Sequence, residues 1–123
     1  MGDGLSSALA TTIAGDIVAS STNVKLHTGA PGAAGTSNAS SVTTRPAVTW
    51  AAASAGSVSA NGTAPAWTSW AGTNGEVDTD VSFWDASSSG NFQFSATLSS
   101  SVTMNTGDSL TLTAITVSVP VAS

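Results

Sequence analysis

Three carboxylates crowd one short stretch of the chain: Glu76, Asp78 and Asp80 stand at i, i+2 and i+4. On a β-strand that spacing projects all three from one face, about 7 Å apart. Such a face could gather a calcium ion together with loop oxygens such as that of Asn74, because calcium is held by carboxylate and carbonyl oxygens. It could also supply the acid and base of a glycosidase, which needs two carboxyls at a suitable separation. The segment lacks the loop geometry of a dedicated calcium site, and exposed strand faces are commonly acidic. The expectation is therefore a solvated or interface face, with Glu76, Asp78 and Asp80 as the calcium candidates and no metal, cofactor or catalytic residue required. The single imidazole, His27, lies in Leu26-His27-Thr28-Gly29 at an expected strand end. A nucleophilic mechanism would set it beside a serine and a carboxylate. Serine is so abundant here that such a match is uninformative, and a structural histidine bonded to loop backbone is expected instead. Asp85 and Asp108 stand in turn contexts, where a carboxylate caps nearby amides. Trp67 and Trp70, three residues apart, would point to opposite faces of a strand, leaving one free to stack a sugar ring. Core or subunit packing is the competing use of the same indoles.

The composition narrows the classes further. The chain has 123 residues, 7 Asp+Glu against 2 Lys+Arg, and a net charge of −5. Lys25 and Arg45 are its only basic residues apart from His27, too few to displace the counterions of a nucleic acid. There is no cysteine, which excludes a disulfide scaffold and a cysteine zinc site. A mean hydropathy of +0.22 with few charges argues against charge-driven disorder. The first positive charge is Lys25 and the apolar runs are a few residues long, against the ~20 that span a bilayer, so neither a signal peptide nor membrane insertion is expected.

The length suits one domain. Ser and Thr make up about a third of it, and such small side chains carry little apolar area. The core must then lean on Trp50, Trp67, Trp70, Trp84, Phe83, Phe92 and Phe94, each of which counts for several alanines at roughly 25 cal/mol per Å² buried. Only 7% of residues are charged, where a soluble domain commonly carries about a quarter. A surface so poor in charge suits a chain partly covered by copies of itself or by neighbours.

The elements that must position these residues follow from periodicity. Leu5, Leu9, Ile13 and Ile17 recur every four residues, the stripe of an amphipathic helix. Asp3 is the expected N-cap, and Gly15 weakens the helix beyond Ala14. Residues 1–22 are read as this helix and a linker, a docking or oligomerisation element with Leu5, Leu9 and Ile13 as its contact stripe. Residues 23–123 are read as the β-domain. Val24 to His27 alternates in polarity, and Gly29 to Gly35 is loop chemistry. Asn61-Gly62 marks a tight turn. Val77, Thr79, Val81 and Phe83 are expected to share one strand face, opposite Asp78, Asp80 and Ser82. After the turn Ser87–Gly90, Phe92, Phe94, Ala96 and Leu98 line the next strand's inner face, with Val102 and Met104 beyond. Asn105–Asp108 turns the chain again. A phase slip between Ala114 and Ile115 reads as a bulge or bend. Seven or eight short strands at regular spacing predict a mainly β fold, an antiparallel β-sandwich (jelly-roll or immunoglobulin-like) with an N-terminal α-helix.

From Leu26-His27-Thr28-Gly29-Ala30-Pro31-Gly32-Ala33-Ala34-Gly35 onward the sequence resembles a family of small bacteriophage virion proteins, usually labelled minor tail or tail-fibre proteins. That family pairs an LHTGxPGxxG strand and loop with an Arg-x-Ala-Val-Thr-aromatic strand, matched by Arg45-Pro46-Ala47-Val48-Thr49-Trp50. It continues with an aromatic strand leading to Asp-Ala, as at Val81 to Ala86, then Gly90-Asn91, and a Gly-Asp turn, as at Gly107-Asp108. Pro46 departs from the pattern, where a polar residue is more usual, and a proline there marks a strand edge. The resemblance implies a non-enzymatic structural protein of the virion, assembled in the host cytoplasm. Its expected place is the tail or fibre, with capsid decoration as the alternative. Leu26, His27, Gly29, Pro31, Gly32, Arg45 and Trp50 would then shape the fold and its loop. The expected partners are copies of itself, as a trimer, and other virion proteins, with a host-surface glycan as a candidate ligand. A carbohydrate-binding module using Trp67 or Trp70 is the reading from another class.

Overall fold

A computed structural model describes residues 4–122. One helix, α1 (Ser7–Ala19), opens the fold, and Ser6 caps it by accepting a hydrogen bond from the Leu9 amide at 3.1 Å. Asp3, the expected cap, lies outside the described residues. Gly15 does not end the helix, because tertiary packing outweighs a propensity cost of about 1 kcal/mol. The inward face is Ala10, Ala14 and Val18, rotated by one residue from the Leu5–Leu9–Ile13–Ile17 stripe. Alanines let the helix backbone sit close to the sheet, and a Cβ at Gly56 would reach within 3.0 Å of the Ala10 Cβ.

Among the described residues seven strands follow: β1 (Asn23–His27), β2 (Ser57–Ser59), β3 (Ala66–Trp67), β4 (Glu76–Trp84), β5 (Phe92–Met104), β6 (Leu110–Thr111) and β7 (Thr116–Ser118). The main sheet runs β1-β4-β5, all antiparallel, and two antiparallel pairs, β2-β7 and β3-β6, complete a sandwich-like, mainly β fold. The expected slip after Ala114 is a full break. The chain leaves β6 at Thr111 and joins a different pair at Thr116.

The main core gathers Val24, Leu26, Val81, Phe83 and Met104 from the main sheet with Val48, Trp67 and Trp70. A smaller cluster of Ala14, Val18 and Val58 seats the helix. Half-buried Trp50 packs against both clusters and donates its indole N–H to the Ser21 carbonyl at 2.8 Å. All four indoles are satisfied in this way: Trp67 bonds the Thr44 carbonyl, Trp70 the Thr73 carbonyl and Trp84 the Ser82 hydroxyl. Each tryptophan thus supplies apolar area and pins a backbone or side-chain oxygen of an otherwise small-residue chain.

The β4–β5 register slips twice, between Asp78 and Asp80 and between Phe83 and Trp84. These slips overturn the expected common faces. Val77 is 45% exposed while Val81 and Phe83 are buried. Phe94 pairs with Phe83 on the core side and stacks on its ring at 4.3 Å, whereas Phe92 pairs with Trp84.

Candidate functional site

The first slip separates the three carboxylates. Asp78 is the Cα partner of Val102 and Asp80 that of Thr97, so five steps on β5 face two on β4 and the alternation on which a common face depends is broken. Asp80 stands across from His27 and accepts hydrogen bonds from Thr79 Oγ1 at 2.6 Å and Thr97 Oγ1 at 3.1 Å. Glu76 instead accepts from Ser40 Oγ at 2.5 Å and from the Ser41 amide at 2.9 Å, tying the Ser40–Val42 turn to β4. Among the described residues no group of three His, Cys, Asp or Glu side chains could hold a metal. The predicted calcium set is not assembled.

Asp78 is the more unusual group. It is fully buried, and neither carboxyl oxygen has a hydrogen-bond partner. Burial, with the neighbouring Glu76 carboxyl, raises its pKa to about 7. Burial also pushes Glu76 up, but the bonds from Ser40 and Ser41 outweigh it and hold that carboxyl below its ordinary value. The pair therefore divides one proton unequally: Glu76 is ionised, and Asp78 keeps its proton up to about neutral pH. An acid and a base so divided are what glycoside hydrolysis would need, yet no saccharide can reach a carboxyl that is 0% exposed.

His27 sits at the centre of a second buried group. Its Nδ1 donates to the Ser37 carbonyl at 2.8 Å, and its Nε2 accepts from Ser82 Oγ at 2.7 Å. Ser82 Oγ in turn accepts the Trp84 indole N–H at 2.7 Å. The tautomer follows from the partners: a carbonyl only accepts and an indole only donates, so the neutral imidazole satisfies every member of the chain. Burial is the largest influence on His27 and lowers its pKa. A serine bonded to a histidine resembles a nucleophile and its base, but both are 0% exposed and the orienting group is a backbone carbonyl. The arrangement fastens the Thr28–Ser40 loop over β1 and β4.

The rest of the loop is built around the same two strands. The Arg45 guanidinium lies 4.0 Å over the Trp84 ring and donates to the Ser89 carbonyl at 2.7 Å, joining the loop to the Ser87–Gly90 turn. Asp85 closes that turn by accepting from the Asn91 amide, and Asp108 closes the last turn by accepting from the Asn105 amide. Gly35 holds φ +71° with the Phe92 ring against its α-carbon, and Gly32 holds φ +77°. Pro31 is buried, Gly29 is half-buried and packs on Asn38. Leu26 lies in the core.

Trp67 and Trp70 do not split between two faces. They are 3% and 2% exposed, because β3 ends at Trp67 and the chain turns before Trp70. Neither offers a ring to a sugar. On α1, Leu9 is 49% exposed and Ile13 half-buried, while Leu5 forms a parallel bridge with Val121. Sequence reasoning missed Ser82 and Ser40. The first had a signal, a lone hydroxyl inside the apolar run Val81-Ser82-Phe83-Trp84. The second is one serine among many.

The titratable and aromatic groups weighed for chemistry are thus buried or bonded within a small, mainly β protein. Residues 7–120 match the family model of the podophage GP4 fiber I protein gp80. The chain belongs to that family of phage fibre proteins, and so to the components of a virion. No curated protein matches it.

Proposed function

We propose that this chain is a self-associating structural component of a phage tail fibre, without enzymatic activity. The observation that carries the reading is the family match over residues 7–120. The buried state of Asp78, Ser82 and His27 supports it, since none of them can meet a substrate. The outward ridge of α1 is its docking element: Leu9 is one of two large apolar side chains exposed among the described residues, and Ile13 flanks it one turn on.

The test is a phage whose gene for this chain is disrupted. Particles should retain heads and tails but show shortened or missing fibres by electron microscopy and adsorb poorly to the host. Intact fibres on such particles would contradict the proposal. Complementation with Leu9→Glu should give a folded protein that is recovered on particles at less than about a tenth of the normal amount, a charge at a desolvated contact costing several kcal/mol. Recovery at full occupancy would remove Leu9 from the docking surface.

A further inference from the structure

We propose that the open side of the sandwich, between the outer edge of β5 and the Thr111–Thr116 segment, is where a second copy of this chain docks. This rests on the reading of the chain as a self-associating fibre component and adds the surface.

The two edges of the main sheet are finished differently. Beyond β1 the chain doubles back and bonds it along its length: the Thr28 amide to the Asn38 carbonyl at 2.8 Å, the Ser40 amide to Leu26 at 3.1 Å, and the Val24 amide to Pro46 at 3.0 Å. β5 pairs with β4 only, and among the described residues its other side has no backbone partner. At 13 residues that edge is about 43 Å long, taking ~3.3 Å per residue. Monomeric proteins guard such an edge with charges or proline. Residues 92–104 contain no Lys, Arg, Asp, Glu or Pro, and the two register slips bend the strand without placing a charge on it.

Beside the edge lies a groove of about 400 Å³, floored by Val81 and Phe83 and walled by Ala96, Leu98, Leu112 and Ile115. Its far wall belongs to the chain joining β6 to β7, and each of these strands is bonded on one side only. Unpaired strand edges therefore flank an apolar floor on both sides. A strand edge is complementary to another strand edge. A copy of this chain carries both kinds of edge and can present each to its mate, as a self-complementary interface requires. None of the nine charged residues falls within 92–104 or 109–122, so the strand edges bring no charge of their own to the contact, and the nearby Asp80 carboxylate is taken up by the Thr79 and Thr97 hydroxyls. The two edges face each other over the six residues Thr111–Thr116, ~20 Å of chain, and the rest of β5 extends the surface as a free strand edge onto which a second chain's edge can add.

The experiment is sedimentation equilibrium of the full chain, with Ala96→Glu and Ala114→Glu in the groove and Ala33→Glu, outside the groove lining, as control, all at exposed positions. The expected result is a wild-type mass of two or more times the 11.9 kDa of one chain. Each groove variant should have a dissociation constant raised at least ~10-fold, with the control unchanged. Folded groove variants that associate as tightly as wild type would overturn this surface and leave self-association standing. A wild-type chain that stays monomeric at ~1 mM, a concentration that reveals even weak pairing, would overturn the self-association reading itself. If the groove variants do not fold, hydrogen exchange on the wild type decides. Protection of β5 amides that rises with protein concentration supports the surface, and protection independent of concentration overturns it.

Discussion

Asp78 and His27 respond to acid in opposite senses, and both effects follow from burial. Asp78 has a folded pKa of about 7 against 3.8 for the free side chain, so the native state binds its proton more readily than the unfolded chain. Its contribution is fully present below pH 3.8 and is lost as pH rises to about 7. At ~1.4 kcal/mol per pH unit this is a loss on the order of 4 kcal/mol. Asp78→Asn should therefore raise the urea midpoint at pH 8 and leave it little changed at pH 4, because the amide, like the protonated carboxyl, brings no charge into the interior. A variant no more stable than wild type at pH 8 would mean that Asp78 is not held unpaired. His27, with its pKa lowered from 6.5 by burial, contributes stability above pH 6.5 that is lost as pH falls through its folded value. Replacing it by alanine removes two hydrogen bonds and leaves a cavity, at an expected cost of about 2–4 kcal/mol at pH 7.5. A cost under about 1 kcal/mol in chemical denaturation would contradict its place as the fastening of the loop.

Loops and caps are where the elements can be tested singly. Gly35→Ala forces a Cβ into the Phe92 ring at a positive φ, and should cost roughly 2 kcal/mol or more by combined overpacking and backbone strain. The same change at Gly75, also at positive φ but with open space around it, isolates the backbone share, about 1 kcal/mol. Equal losses at the two glycines would show that Phe92 does not pack on the loop. Much of this level was legible in the sequence. Turns announced themselves through Asp85, Gly90, Gly107 and Asp108, and the strands between them through alternation. Register slips were not legible, because a bulge adds residues without changing their character. Glu76, Asp78 and Asp80 thus look like one face until Val102 and Thr97 are seen as the partners of the latter two. The helix was rotated for a similar reason. Periodicity weighs leucine above alanine, whereas a helix lying close on Val58 and Gly56 needs its smallest side chains inward. Ser6→Ala, which removes the observed cap, should cost about 1 kcal/mol, and an unchanged thermal midpoint would show that the cap is not formed in solution.

For the molecule as a whole, the sparse charge, the small side chains and the chemistry locked inside the fold point the same way as its family. Four tryptophans and three phenylalanines hold together a chain in which serine and threonine dominate, and the sandwich they build has one finished edge and one open side. The most direct measurement is the copy number of this chain on purified particles, by quantitative mass spectrometry against the major capsid protein. A fibre component is present at a few to a few dozen copies per particle, a count set by the closed symmetry of a tail appendage. A ratio near one copy per capsid subunit would place the chain on the shell, and its absence from the particle would contradict a virion role altogether.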